Sequence, residues 1–106
     1  MTGPTHLLKQ ETGVAIDSAT EVFETNLEYV KLVSLNIDAT AEADYRLDVS
    51  PDGDTYFEAE REYLAADEDT TDVRDVFELT DRYVRLVVTS AAAGGETADI
   101  VVQGVR

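Results

Sequence analysis

Acidic side chains dominate the chemistry that this 106-residue chain could perform, with 23 Asp and Glu against 8 Lys and Arg. Two clusters have the oxygen density that a hard divalent cation prefers. Asp52-Gly53-Asp54 places a turn-forming glycine between two carboxylates, and Asp67-Glu68-Asp69 is followed closely by Asp72. Neither has the spaced acids and closing Glu of a calcium loop. Each therefore reads first as a solvated loop, and at most as a weak Mg²⁺ or Ca²⁺ site on Asp52, Asp54, Asp67 and Asp69. The one histidine, His6, stands near the N-terminus, poorly placed to be held as a metal ligand or as the base of a triad. Ser18, Ser34, Ser50 and Ser90 have no base at a motif spacing, and Gly94-Gly95 lacks the lysine of a phosphate loop and reads as a hairpin tip. With 23 acids, carboxylate pairs arise by chance, so no pair singles out a general acid and base. Absent cysteine removes disulfides, thiolate metal sites and a thiol nucleophile. The expectation is a protein that is not an enzyme, with no catalytic residues and no resident cofactor.

Aromatic side chains offer a second chemistry. Tyr29, Tyr45, Tyr56, Tyr63 and Tyr83 could form a platform for sugar rings, but there is no Trp, and aromatics on strands usually pack in cores or cross-strand pairs.

The net charge of −15 bounds the partners. Lys9, Lys31, Arg46, Arg61, Arg74, Arg82, Arg85 and Arg106 are scattered and form no basic stripe, which argues against nucleic acid and against an anionic membrane face. No apolar run approaches the length of a membrane span, and the first residues lack the pattern of a secretory signal. Hydrophobic residues at 43% are too many for a solvating disordered chain. The acidity fits ordinary solubility, a cation-binding surface or adaptation to concentrated salt, and acid spread over the whole length with only two lysines points first to the last, where self-repulsion is screened to about 3 Å at 1 M.

The elements that must carry these residues read as strands. Val33, Leu35, Ile37 and Ala39 alternate with Ser34, Asn36 and Asp38, and Ala43, Tyr45, Leu47 and Val49 alternate with Asp44, Arg46 and Asp48. Thr40-Ala41-Glu42 between them is short enough for a hairpin. Ser50-Pro51-Asp52-Gly53-Asp54 is a turn leading to a strand over Tyr56 to Tyr63, with Phe57, Ala59, Arg61 and Tyr63 on one face. An exposed loop over Ala65 to Asp72 precedes strands at Val73–Leu79 and Tyr83–Ser90. Ala91 to Thr97 reads as a hairpin loop before a last strand, Ala98–Val105. Upstream, Leu7–Glu11, Gly13–Ile16 and Glu21–Thr25 are short strand candidates, and Met1–Thr5 reads as a loose arm. About eight short strands without an amphipathic helix predict a single all-β domain over residues 1–106. The expected architecture is an antiparallel two-sheet β-sandwich of jelly-roll type. Leu32 beside Val33, Val87 beside Val88 and Val101 beside Val102 predict burial on two faces, within the sandwich or against a neighbour.

Three segments carry a resemblance. Asp44 to Phe57 is a strand, a Ser50-Pro51-Asp52-Gly53 turn and an aromatic pair, with Tyr56-Phe57 where the pattern usually has Trp. Phe77 to Thr89 contains a Tyr83-Val84-Arg85 strand after a short turn, and Thr97 to Val102 matches a closing strand. Over residues 43–105 the chain resembles small β-sandwich structural proteins of tailed viruses that infect halophilic archaea. Similar turns and strands occur in discoidin-like sugar-binding sandwiches and in bacterial surface modules. The resemblance implies a capsid decoration or turret protein, made in the host cytoplasm and located in the virion in high salt. It would contact itself as a homo-oligomer and other virion proteins such as the major capsid protein, with Met1–Gln10 reaching to the next subunit. The alternatives are a tail or head–tail connector component, or a surface module that binds glycans or cations through its loops.

Overall fold

The computed structural model describes residues 6–27, 30–79 and 81–105. Eight strands follow in chain order: β1 (His6–Ala15), β2 (Glu21–Asn26), β3 (Leu32–Ala39), β4 (Asp44–Ser50), β5 (Phe57–Tyr63), β6 (Asp72–Glu78), β7 (Tyr83–Ser90) and β8 (Thr97–Val105). No helix occurs among the described residues. The strands form two four-stranded sheets, β1-β8-β3-β6 and β2-β7-β4-β5, with every pairing antiparallel. The first strand lies beside the last, and all but one of the connections cross between sheets, which is the connectivity of a jelly roll.

Period-two alternation places the core between the sheets. Val33, Leu35 and Ile37 of β3 with Ile100 and Val102 of β8 face Tyr45, Leu47 and Val49 of β4 with Val84, Leu86 and Val88 of β7, and all are buried. Near one end, Gly104 of β8 makes room for Val30. A Cβ built on it would stand 2.1 Å from a Val30 methyl and 2.9 Å from the Leu32 carbonyl oxygen.

Two expected hairpins are crossovers instead. β3 and β4 lie in different sheets, so Thr40-Ala41-Glu42 bridges the layers, and the segment over Ala91 to Thr97 likewise carries the chain from β7 to β8 across them. Alternation is the same whether a strand turns back beside its neighbour or folds over to face it, so the pattern does not separate the two. Among the described residues, only β4 and β5 form a hairpin. The two upstream candidates merge into β1, where Gly13 at φ 65° sits in a register irregularity between Glu11 and Val14. His6 to Gln10 therefore pair with β8 in their own sheet, so this part of the expected arm is not free to reach a neighbour. Met1–Thr5 and Tyr29 lie outside the described residues.

The expected face of β5 is also revised. Leu47 pairs with Arg61 and Val49 with Phe57, so β5 bulges between them, and Ala59 adopts φ 59°. Arg61 and Tyr63 reach inward, whereas Ala59 is exposed and Phe57 is 62% exposed.

Candidate functional site

The chemically dense part of the surface begins at Asp48 on β4. Regular alternation turns Asp48 away from the core, toward the outer face of the β2-β7-β4-β5 sheet, yet it is 0% exposed. Arg46, two residues earlier on the same face, donates from Nε to both carboxylate oxygens at 3.0 and 3.2 Å. Arg85 on the neighbouring β7 pairs with Asp48 in register and donates from Nε at 2.7 Å. The Ala59 N–H, aimed by the β5 bulge, donates at 2.9 Å. Glu58 completes the cluster, 2.9 Å from Arg46 Nη2 and 3.6 Å from Arg85 Nη2, while the Arg85 guanidinium lies 4.3 Å from the Tyr56 ring centre. Burial alone would raise the Asp48 pKa, but the Ala59 N–H and the two guanidiniums hold it below the usual carboxylate range. A carboxylate bound by so many donors has no proton to give near neutrality. Its chemistry is to pin the bulge of β5 and to tie three strands together.

A second cluster joins the two sheets along the side where β5 and β6 form edges. Asp75 of β6 accepts from Arg61 Nε at 2.6 Å, from Arg61 Nη2 at 3.1 Å and from the Tyr63 hydroxyl at 2.7 Å. The Arg61 guanidinium also lies 4.8 Å from the Phe77 ring centre. Burial, then the bond to ionised Asp75, pushes the Tyr63 phenol well above its ordinary value. Beside this clasp an open cleft of about 320 Å³ is lined by Glu60, Glu62, Glu68 and Arg74 as well as by the clasp residues.

The cation candidates are placed as follows. Asp52 Oδ1 accepts from Ser50 Oγ, from the Asp54 N–H at 2.9 Å and from the Thr55 N–H at 3.0 Å, and the Ser50 hydroxyl accepts in turn from the Asp52 and Gly53 N–H groups. The Thr55 and Asp54 N–H groups hold the Asp52 pKa below the ordinary range, and Gly53 at φ 79° packs against the Tyr83 ring. Asp69 accepts from the Thr71 hydroxyl and N–H, which lower its pKa in the same way. Asp67 and Glu68 donate their N–H groups to the Leu64 carbonyl in a single turn. Among the described residues, no three acidic or histidine side chains converge on a point that would hold an ion. His6 sits on β1 opposite Gly104, partly buried and not in a trailing end. Ser34 accepts from Asn36 Nδ2 on the outer face of β3, and Ser50 belongs to the turn. Tyr45 and Tyr63 are buried and Tyr56 and Tyr83 half-buried, so these four described tyrosines do not gather on one exposed face.

The other outer face, on β1-β8-β3-β6, is of a different kind. Leu7 pairs with Gln103, Gln103 with Ser34 and Ser34 with Val76, while Leu32 pairs with Val105 and Asn36 with Val101. These outward positions carry no charge, while on β6 Glu78 stands opposite Leu32 and Arg74 opposite Asn36. Leu7 and Val76 are each 60% exposed, and a shallow groove of about 200 Å³ runs between Leu32, Ser34, Val76, Gln103 and Val105. Leu32, Val87 and Val101, the outer members of the doubled apolar positions, are half-buried, whereas Val33, Val88 and Val102 are buried. At the far end of the same face, Asp99, Asp38 and Asp72 stand directly opposite one another across β8, β3 and β6.

The ionic clusters were not singled out in sequence. Arg46 and Asp48 at spacing two on one strand face carry a local signal, whereas Arg61 and Asp75 meet only because β5 and β6 border different sheets on the same side. No family model matches the chain, and no curated protein matches it in sequence.

Proposed function

We propose that this protein is a structural subunit of a virion, a capsid decoration or turret protein that acts through symmetric protein contacts in concentrated salt. The observation that carries this reading is the uncharged strip of Leu7, Leu32, Ser34, Val76, Gln103 and Val105 on the outer face of one sheet, in a chain of net charge −15. A surface so acidic elsewhere leaves few places where another protein approaches without meeting carboxylates, and exposed apolar area rimmed by polar residues is what an interaction surface needs. The two dense ionic clusters favour the same reading, because their arginines and aspartates bond to each other and hold strands together. The resemblance of residues 43–105 to sandwich proteins of tailed viruses of halophilic archaea supplies the virion.

Cryo-electron microscopy of the assembled particle in molar salt is the direct test. The expected result is density for this sandwich at regularly repeated positions, against the major capsid protein or at the vertices. A chain absent from purified particles, or one that binds glycans saturably as a strict monomer, overturns the proposal.

A further inference from the structure

The four edge strands of the sandwich are not alike. β1 is broken by two register irregularities, β2 by one, and β5 by the bulge that carries Ala59 at φ 59°. Such interruptions blunt an edge against pairing with another chain. By contrast, β6 runs in unbroken register with β3 from Asp72 to Glu78 and contains neither Pro nor Gly. Its backbone polarity is fixed by its neighbours. The Leu79 N–H donates to the Lys31 carbonyl and the Thr71 carbonyl accepts from Ala39, so the odd-numbered residues of β6 point their backbone groups toward β3. The N–H and C=O groups of Arg74, Val76 and Glu78 then point to the free edge, as does the Asp72 C=O, whose N–H donates to the Asp69 carbonyl, and Val76 is 60% exposed.

We infer that β6 is a docking edge for a second copy of this chain, joining two sheets antiparallel through β6 into one continuous eight-stranded sheet. Rotation of a copy about a two-fold axis makes the edge its own complement. Side-chain parity allows any residue-centred register; those centred on Arg74, Asp75 or Val76 pair most of β6 with its copy, and charge chooses among these. Centring on Arg74 sets two guanidiniums face to face, and centring on Asp75 sets Asp75 against the partner's Asp75 and Asp72 against the partner's Glu78. Centring on Val76 sets Val76 against the partner's Val76, and Arg74 against the partner's Glu78 twice over. It also sets Val73 against the partner's Leu79. Arg74, Val76 and Glu78 then all lie in hydrogen-bonded pairs, and the uncharged strip of each copy continues across the axis. Glu60, Glu62 and Glu68 flank this edge, so the two copies associate only where salt screens them.

This inference rests on the reading of the chain as an assembly subunit and names the surface. It is tested by sedimentation equilibrium of the full chain in molar KCl, with amide hydrogen exchange measured at two protein concentrations. The expected result is a reversible dimer in which the Arg74, Val76 and Glu78 amides exchange more slowly as concentration rises. Arg74→Glu and Glu78→Arg each weaken association about tenfold, and the double exchange restores it, because the cross-strand pairs are re-formed in reverse. Val76→Lys, which sets two ammonium groups at the axis, abolishes the dimer while far-ultraviolet circular dichroism stays unchanged. A dimer indifferent to all four variants overturns the β6 edge and leaves the assembly reading standing on another surface. A chain that stays monomeric yet occupies symmetric positions in the particle does the same. A monomer that is also absent from particles overturns both.

Discussion

At the scale of single residues, the energetics concentrate in a few polar groups withdrawn from water. Asp48 is fully buried and bound by two arginines and one backbone N–H. Asp48→Asn keeps the shape but removes the charge that both guanidiniums require. Loss of these charge-assisted bonds lowers stability by about 2–3 kcal/mol, read as a lower urea midpoint at constant slope. Because the folded-state pKa of Asp48 lies below its unfolded value, its contribution is present above the unfolded pKa and is lost as pH falls through the folded one. Acid titration of the wild type should therefore lose more stability below about pH 4 than the same titration of the Asn variant. Tyr45 is the opposite case. Its hydroxyl is buried in the core without a hydrogen-bond partner, and burial pushes its pKa up to about 12. Tyr45→Phe removes an unsatisfied polar atom and should leave stability unchanged or raise it by about 1 kcal/mol in the same urea experiment. Tyr63→Phe, which deletes the bond to Asp75, should cost about 1 kcal/mol.

At the scale of elements, pairing rather than propensity explains where the sandwich is strong and where it is strained. Seven positions of β3 from Leu32 to Asp38 pair on both sides, with β6 and with β8. Most of these pairs are apolar or polar and neutral, but Asp38 has Asp99 on one side and Asp72 on the other. Like charges directly opposite one another destabilise a sheet, and Asp99 and Asp72 find relief in the Gly13 N–H and in Arg74. Asp38→Asn should raise stability by about 0.5–1 kcal/mol in dilute buffer and by less in molar salt, where the repulsion it removes is already screened. Equal gains at both salt concentrations in thermal melts would show that repulsion across β3 is not the cause.

Across the whole molecule, charge and topology set behaviour that no single contact controls. A net charge of −15 on a body of about 38 × 32 × 24 Å means self-repulsion that grows as salt is withdrawn. The melting temperature should fall by several degrees between molar salt and about 50 mM, as the Debye length lengthens from about 3 Å to beyond 10 Å. A flat melting temperature over that range would contradict adaptation to brine. Jelly-roll connectivity adds a kinetic consequence. Among the described strands only β4 and β5 are neighbours both in sequence and in a sheet, so nearly every pairing closes a long loop, and refolding should take milliseconds to seconds.

Much of the fold was legible along the chain because a sheet with one buried face writes its period into the residue order. Val33, Leu35 and Ile37, like Val84, Leu86 and Val88, are inward because they alternate, and turn residues at Ser50 to Asp54 mark the one true hairpin. The sequence by itself determined most of the strands, the inward faces of β3, β4, β7 and β8, and the acidic composition. Tertiary structure alone decided that Thr40-Ala41-Glu42 crosses between sheets, that Arg61 meets Asp75 and that Asp48 is buried on an outward face. It also decided which of the four edges stayed straight. The reason is physical: alternation tells a strand which side is buried, but only the packing of two sheets decides which strand lies beside it and which polar groups are closed off from water.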